Sequence, residues 1–155
     1  MKGRTYRYMT EQPLFPFGYG LSYTDFKIGE GTLVVPGKGD STNPDSSLFT
    51  LDSSLPLHLT VPVTNTGKRE GTEVVQVYVK RMDDVNGPQK SLRGFARITL
   101  KPGETKNAEI LLDAESFESF DEASNTVTTR PGAFQIFYGT SSADKDLKTL
   151  SVTLR

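Results

Sequence analysis

Leu55-Pro56-Leu57-His58-Leu59-Thr60-Val61-Pro62-Val63-Thr64 decides how the rest of the chain is read. Leu55, Leu57, Leu59, Val61 and Val63 take every second position, and Pro56, His58, Thr60, Pro62 and Thr64 fill the gaps. A side-chain period of two belongs to extended backbone, so the stretch predicts a half-buried strand with one apolar face. Pro56 and Pro62 on the other face cannot donate to a ladder, which predicts that part of the strand lies near a sheet edge. Asn65-Thr66-Gly67 then supplies turn chemistry.

Working outward, the same signal recurs. Val75, Val77 and Val79 share one face of a strand over 74–79. Val74 and Tyr78 lie on its other face, so that face is expected to be partly covered too. Residues 81–91 are a polar connection. Ala96, Ile98 and Leu100 alternate; Lys101-Pro102-Gly103-Glu104 has the residues of a type II turn. Ala108, Ile110 and Leu112 are expected to return as the antiparallel partner of 96–100. Ala114 to Phe120 is the one helix-like patch, about one turn long. Arg130-Pro131-Gly132 turns the chain into Phe134, Ile136 and Tyr138, residues 139–145 turn it again, and Leu150, Val152 and Leu154 close the sequence. Upstream, Ile28 and Thr32 to Val35 predict a first strand, and the polar stretch 36–54 a long loop. About seven short strands with turns between them predict an all-β chain folded as an antiparallel β-sandwich of the immunoglobulin or fibronectin type III kind.

Composition narrows the function. The chain has 155 residues, the length of one ordinary domain, and can bury roughly 68–70% of its unfolded surface. With Cys 0 there is no disulfide framework, thiolate nucleophile or cysteine-ligated zinc. Lys+Arg 18 against Asp+Glu 19 gives a net charge of −1, against the basic excess of a nucleic-acid binder. No run of 18 apolar residues predicts a membrane span, and Met1 to Thr10 lacks the apolar region of a signal peptide.

Residues 1–26 differ in kind from the rest. Tyr6, Tyr8, Phe15, Phe17, Tyr19, Tyr23 and Phe26 crowd a segment with neither helical nor strand period. Pro13, Pro16, Gly18 and Gly20 interrupt it, so it reads as an irregular aromatic-rich arm. Rings at this density need a surface to cover them, either on this domain or on another.

No catalytic constellation assembles. His58, the single His, falls on the polar face of its strand and reads as solvent-facing. Asp113, Glu115, Glu118, Asp121 and Glu122 form one local acidic run rather than two carboxylates held across a cleft. Asp83, Asp84 and Asn86 carry calcium-type oxygens but lack the spacing of a calcium loop, and read as a turn. Gly18-x-Gly20 lacks the third glycine of a dinucleotide loop. Expected catalytic and metal residues are therefore none, and no cofactor is expected.

Gly3-Arg4-Thr5-Tyr6-Arg7-Tyr8 followed by Pro13-Leu14-Phe15-Pro16-Phe17-Gly18-Tyr19-Gly20-Leu21-Ser22-Tyr23-Thr24 resembles a known family. The resemblance continues through Val63 to Gly67, Gly71 to Val79, Leu92-Arg93-Gly94-Phe95, Leu100 to Glu104, Pro131-Gly132 and Tyr138 to Ser142. Together these motifs resemble the C-terminal part of family 3 glycoside hydrolases, the β-glucosidases and β-xylosidases. Two features depart from that pattern: the long polar stretch 36–54, and the lack of a Trp near Ser119-Phe120-Asp121, since Trp is 0.

The resemblance implies that 1–23 is the linker arm from a catalytic region and 24–155 a fibronectin type III-like sandwich. It implies a non-catalytic accessory domain of a retaining β-glycosidase, whose catalytic residues lie in other domains. The expected partners are the catalytic domains of the same polypeptide, with a homo-oligomer contact as a further expectation. Tyr6, Tyr8, Phe15, Phe17, Tyr19 and Tyr23 are the expected interdomain anchors. A bacterial periplasmic or secreted parent is implied as well. The alternatives are a carbohydrate-binding module, which would show a coplanar exposed row of aromatics, and a free-standing cell-surface interaction domain.

Overall fold

The computed structural model describes residues 5, 7–9, 11, 13–34, 49–51, 56–121 and 124–154. The described residues hold eleven strands, more than the seven expected, because several are only three or four residues long. They are β1 (Phe26–Ile28), β2 (Thr32–Val34), β3 (Phe49–Leu51), β4 (Leu57–Asn65), β5 (Gly71–Arg81), β6 (Ser91–Leu100), β7 (Thr105–Leu112), β8 (Glu118–Asp121), β9 (Thr126–Thr129), β10 (Gly132–Gly139) and β11 (Leu147–Leu154). One sheet holds β1, β2, β4 and β7; the second runs β3-β11-β10-β5-β6; β8 and β9 form a separate hairpin. The chain is an all-β, fibronectin type III-like sandwich.

The alternating face of β4 is the floor of the core. Leu57, Leu59, Val61 and Val63 are all buried, and they join Val75, Val77, Ile136 and Tyr138 of the facing sheet in one cluster. Burying such aliphatic side chains is worth about 1.5–3 kcal/mol each, so this face contributes substantially to fold stability. His58 points outward and is exposed, as its place on the polar face predicts.

Four expectations are corrected. First, β4 is not an edge strand. It pairs with β7 along its whole length on one side and with β1 and β2 on the other. Pro56 precedes the strand. Pro62 is accommodated because its carbonyl accepts from Gly29 N (2.8 Å). In an antiparallel strand the N–H points to the same side as the carbonyl, so the missing donor faces the interval between β1 and β2, where no ladder bond is needed. Second, the strand expected over 28–35 is broken into β1 and β2 at that same interval. Third, β7 is not the partner of β6. It pairs with β4, so the Lys101–Glu104 turn carries the chain from one sheet to the other. Fourth, 36–54 is not wholly loop: Phe49–Leu51 forms β3, parallel to β11. The remainder of that stretch lies outside the described residues. The helix-like patch is a 3-10 turn over Ala114–Phe117, capped by Asp113.

Asn65, fully buried at the end of β4, pins the crossing. Its side-chain amide donates to the carbonyls of Arg69 (2.8 Å) and Leu100 (2.9 Å), and its oxygen accepts from Gly67 N (3.0 Å) and Thr24 Oγ1 (3.1 Å). One side chain therefore ties the start of the sandwich to the turn after β4 and to the end of β6. Each bond adds about 1 kcal/mol, and all four capacities of the amide are used.

Candidate docking surface

The arm is built from backbone that binds inward. Tyr8 N and Met9 N both donate to Thr5 O, making a tight turn. Arg7 O then accepts from Gln89 N (2.6 Å). Phe17 and Ser142 clasp each other: Phe17 N donates to Ser142 Oγ (3.0 Å), and Ser142 N donates to Phe17 O (2.8 Å). Ser22 Oγ donates to Thr72 O (2.9 Å), and Thr24 reaches Asn65. The segment thus runs along β5 from the β5–β6 connection toward the start of that strand.

Gly18 makes the closest approach. It has φ +91°, and a Cβ there would collide with the Gln76 amide and come within 2.6 Å of Thr140 O. Gln76 and Tyr78 lie on the outer face of β5, yet both are buried. That is the partial covering expected from Val74 and Tyr78, with the arm supplying part of it over Gln76. Gln76 donates to Thr140 O (3.1 Å) and accepts from the Tyr78 hydroxyl.

The rings of the arm behave oppositely to its backbone. Tyr23 is 99% exposed, Phe15 66%, Phe17 58% and Tyr19 57%. Leu14 and Leu21, which the aromatic count passed over, are exposed as well. Phe15 and Tyr19 touch at 5.4 Å between centroids but are tilted by 38°, so this pair is not coplanar. Tyr8 differs: it is half-buried, beside the Arg7 guanidinium at 5.8 Å. Tyr6 lies outside the described residues.

Several of the other candidate groups have structural partners. Asp113 accepts from Ser116 N (3.0 Å), and Asp121 meets Arg130 at 2.7 Å. Glu122 lies outside the described residues. Asp83 pairs with Arg81 at 2.5 Å, and the hydrogen bond to Arg81 holds its carboxyl below the usual range. Glu73 is buried beneath Ser22, and loss of solvent raises its pKa against the lowering effect of its hydrogen bonds to Val74 N and Ser22. Among the described residues no helix is long and apolar enough to cross a membrane.

Comparison with known proteins places this surface in context. The fibronectin type III-like domain family matches residues 73–142. A xylan 1,4-β-xylosidase of Xylanibacter ruminicola is 47% identical over 99% of the chain, and a periplasmic β-glucosidase of Salmonella typhimurium is 39% identical over 90% of it. The chain spans only 16% and 17% of those two proteins. Among solved structures, a β-glucosidase involved in saponin metabolism from intestinal bacteria superposes with a TM-score of 0.77 at 34% identity, covering 98% of this chain and 19% of that one. A β-glucosidase from Listeria innocua superposes with a TM-score of 0.73 at 28% identity, covering 99% of this chain and 20% of that one. The chain belongs to the fibronectin type III-like domains of family 3 glycoside hydrolases, the β-xylosidase and β-glucosidase group.

Proposed function

We propose that the chain is a non-catalytic accessory domain that docks on the catalytic domains of a longer β-glycosidase polypeptide and holds their geometry. The observation that carries this is the two-sidedness of the arm: its backbone is bonded to the sandwich while Leu14, Phe15, Phe17, Tyr19, Leu21 and Tyr23 face outward. The relatives' much greater length supplies room for a partner in the same polypeptide. Tyr8 is left out of the docking set, because it faces a cleft of this domain.

The magnitude is adequate. Phe15, Phe17 and Tyr19, at ~200 Å² each and about 60% exposed, offer roughly 360 Å². Covering half of that at ~25 cal/mol/Å² is worth about 4–5 kcal/mol before ordering costs.

The test replaces Phe15, Phe17 and Tyr19 together by Ser, in the 155-residue chain and in a longer polypeptide carrying the catalytic domains. The longer protein should melt several degrees lower and lose turnover of aryl β-glucoside or β-xyloside sooner on heating. The chain alone should melt as before and turn over neither substrate. Equal losses in both would show that the rings serve the sandwich itself, and no loss in either would remove the docking role.

A further inference from the structure

A cleft of about 650 Å³ opens where the start of the arm meets the end of β5, the β5–β6 connection and the β8–β9 hairpin. Among the described residues, four buried side-chain polar atoms have no hydrogen-bond partner: Arg7 Nε, Arg93 Nε, Ser119 Oγ and Arg130 Nε. All four residues line this one cleft. Buried polar groups are normally paired, because an unmade bond costs more than a made one returns. Scattered orphans would be noise, whereas four around one cavity describe a ligand.

We propose that this cleft binds a small sugar acid, a ring-shaped ligand with hydroxyls and a single carboxylate.

The donors set the charge. A guanidinium only donates and matches a planar carboxylate with two parallel bonds. Arg93 already gives its terminal nitrogens to Glu115 O (3.3 Å) and Glu118 O (2.7 Å), and Arg130 gives one to Asp121 (2.7 Å). Among the described residues, the Arg7 guanidinium contacts the Tyr8 ring, which leaves its terminal nitrogens for an incoming carboxylate. The Nε atoms are shut off from solvent, so their pairing requires a small swing of the guanidinium planes as the ligand seats.

The rest of the lining sets the number of charges and the body of the ligand. Among the described lining residues, Arg7, Lys80, Arg81, Arg93 and Arg130 stand against Asp83, Asp84, Glu118 and Asp121, five cations to four carboxylates. A single negative charge balances that set, and a doubly charged phosphate overshoots it. Tyr8 and the exposed Phe120 line the cleft and supply aromatic surface on which the C–H face of a pyranose can lie. Ser119 Oγ and the neighbouring carboxylates supply the mixed donors and acceptors that hydroxyls need.

Titration of the 155-residue chain with D-glucuronate, followed by amide NMR shifts and calorimetry, tests the proposal. D-Glucose and inorganic phosphate serve as the neutral and doubly charged controls. Glucuronate should bind saturably in the millimolar range, more weakly at high salt, with shifts at Ser119, Phe120 and Arg130. Arg7→Ala should weaken it by about tenfold or more, the equivalent of one charge-assisted hydrogen bond, without lowering the melt. Phe120→Ala gives a second variant at an exposed position. Failure of glucuronate to bind, binding of glucose or phosphate as tight as glucuronate, or indifference to both variants would overturn it. Binding that vanishes in the longer polypeptide would also overturn it, because the cleft would then be covered by protein.

Discussion

Gly18→Ala is the sharpest probe of how the arm is seated. Two costs fall on it. A left-handed alanine is strained by about 1–2 kcal/mol, since φ is +91°. The new methyl also meets the Gln76 amide, whose retreat breaks its 3.1 Å bond to Thr140 O or its bond from the Tyr78 hydroxyl. Leaving one such buried group unpaired adds about 1–3 kcal/mol. The arm can instead lift, forfeiting the two Phe17–Ser142 bonds, Ser22–Thr72 and Gln89–Arg7 at about 1 kcal/mol each, which caps the loss at ~4 kcal/mol. The expected destabilisation is therefore about 2–4 kcal/mol, or a fall of about 5–15 °C in Tm for a domain of this size. Gly20→Ala is the internal control: φ is +73°, but nothing lies within 4 Å of a Cβ there, so only the strain remains. Urea melts give the two energies, and limited proteolysis within residues 13–22 reports whether the arm has lifted. Equal losses for the two variants, or a Gly18→Ala loss under about 0.5 kcal/mol, would refute the close approach of arm to sheet.

Tyr138→Phe should cost about 1–2 kcal/mol in a urea melt, because the Gly31 N–H loses its 2.8 Å acceptor. The pH dependence should carry two opposed signatures. Asp83 has a lowered pKa, so its contribution is present above the ordinary carboxylate range and is lost as pH falls through its folded value; Asp83→Asn should flatten the acid limb slightly, given its exposure. Glu73 has a raised pKa, so its contribution is present at low pH and declines as pH rises through the folded value; Glu73→Gln should gain stability at neutral pH and abolish that slope. Chelator should leave the thermal melt unchanged, and a drop of several degrees would instead make Asp83, Asp84 and Asn86 a calcium site.

The alternation over 57–63 was a reliable guide because burial of one strand face is local information. Leu57, Leu59, Val61 and Val63 face the core as the period of two requires. Strand pairing was less legible. Pro62 looked like an edge marker, yet the interval it needs was made by a break in the partner, Gly29 to Gly31. Lys101-Pro102-Gly103-Glu104 reads as a hairpin by its turn residues, and turn residues do not say which sheet the chain enters next. The decision is made at long range, where Asn65 accepts from Gly103 N (2.9 Å) and donates to Glu104 O (3.0 Å) through its backbone. The arm's aromatic density was plain from composition, whereas the opposite behaviour of its backbone and rings depends on Ser142 and Gln76, far away in sequence. The arginine-lined cleft left no sequence signal, since its walls come from residues 7–8, 79–93 and 116–134.

The interval opposite Pro62 has a consequence for association between molecules. The β1–β2 margin of the four-stranded sheet would be an open row of donors and acceptors if β1 and β2 were one continuous strand. Such a row templates strand addition and aggregation. Here that margin consists of two three-residue pieces, Phe26–Ile28 and Thr32–Val34, parted by two glycines and Glu30. Glu30 adds an exposed carboxylate at the break, paired with Lys148 of β11. Among the described residues, an incoming strand would find no uninterrupted run longer than three residues to copy there. A domain whose exposed arm makes it prone to stick through its rings is thereby guarded against sticking through its backbone along this margin.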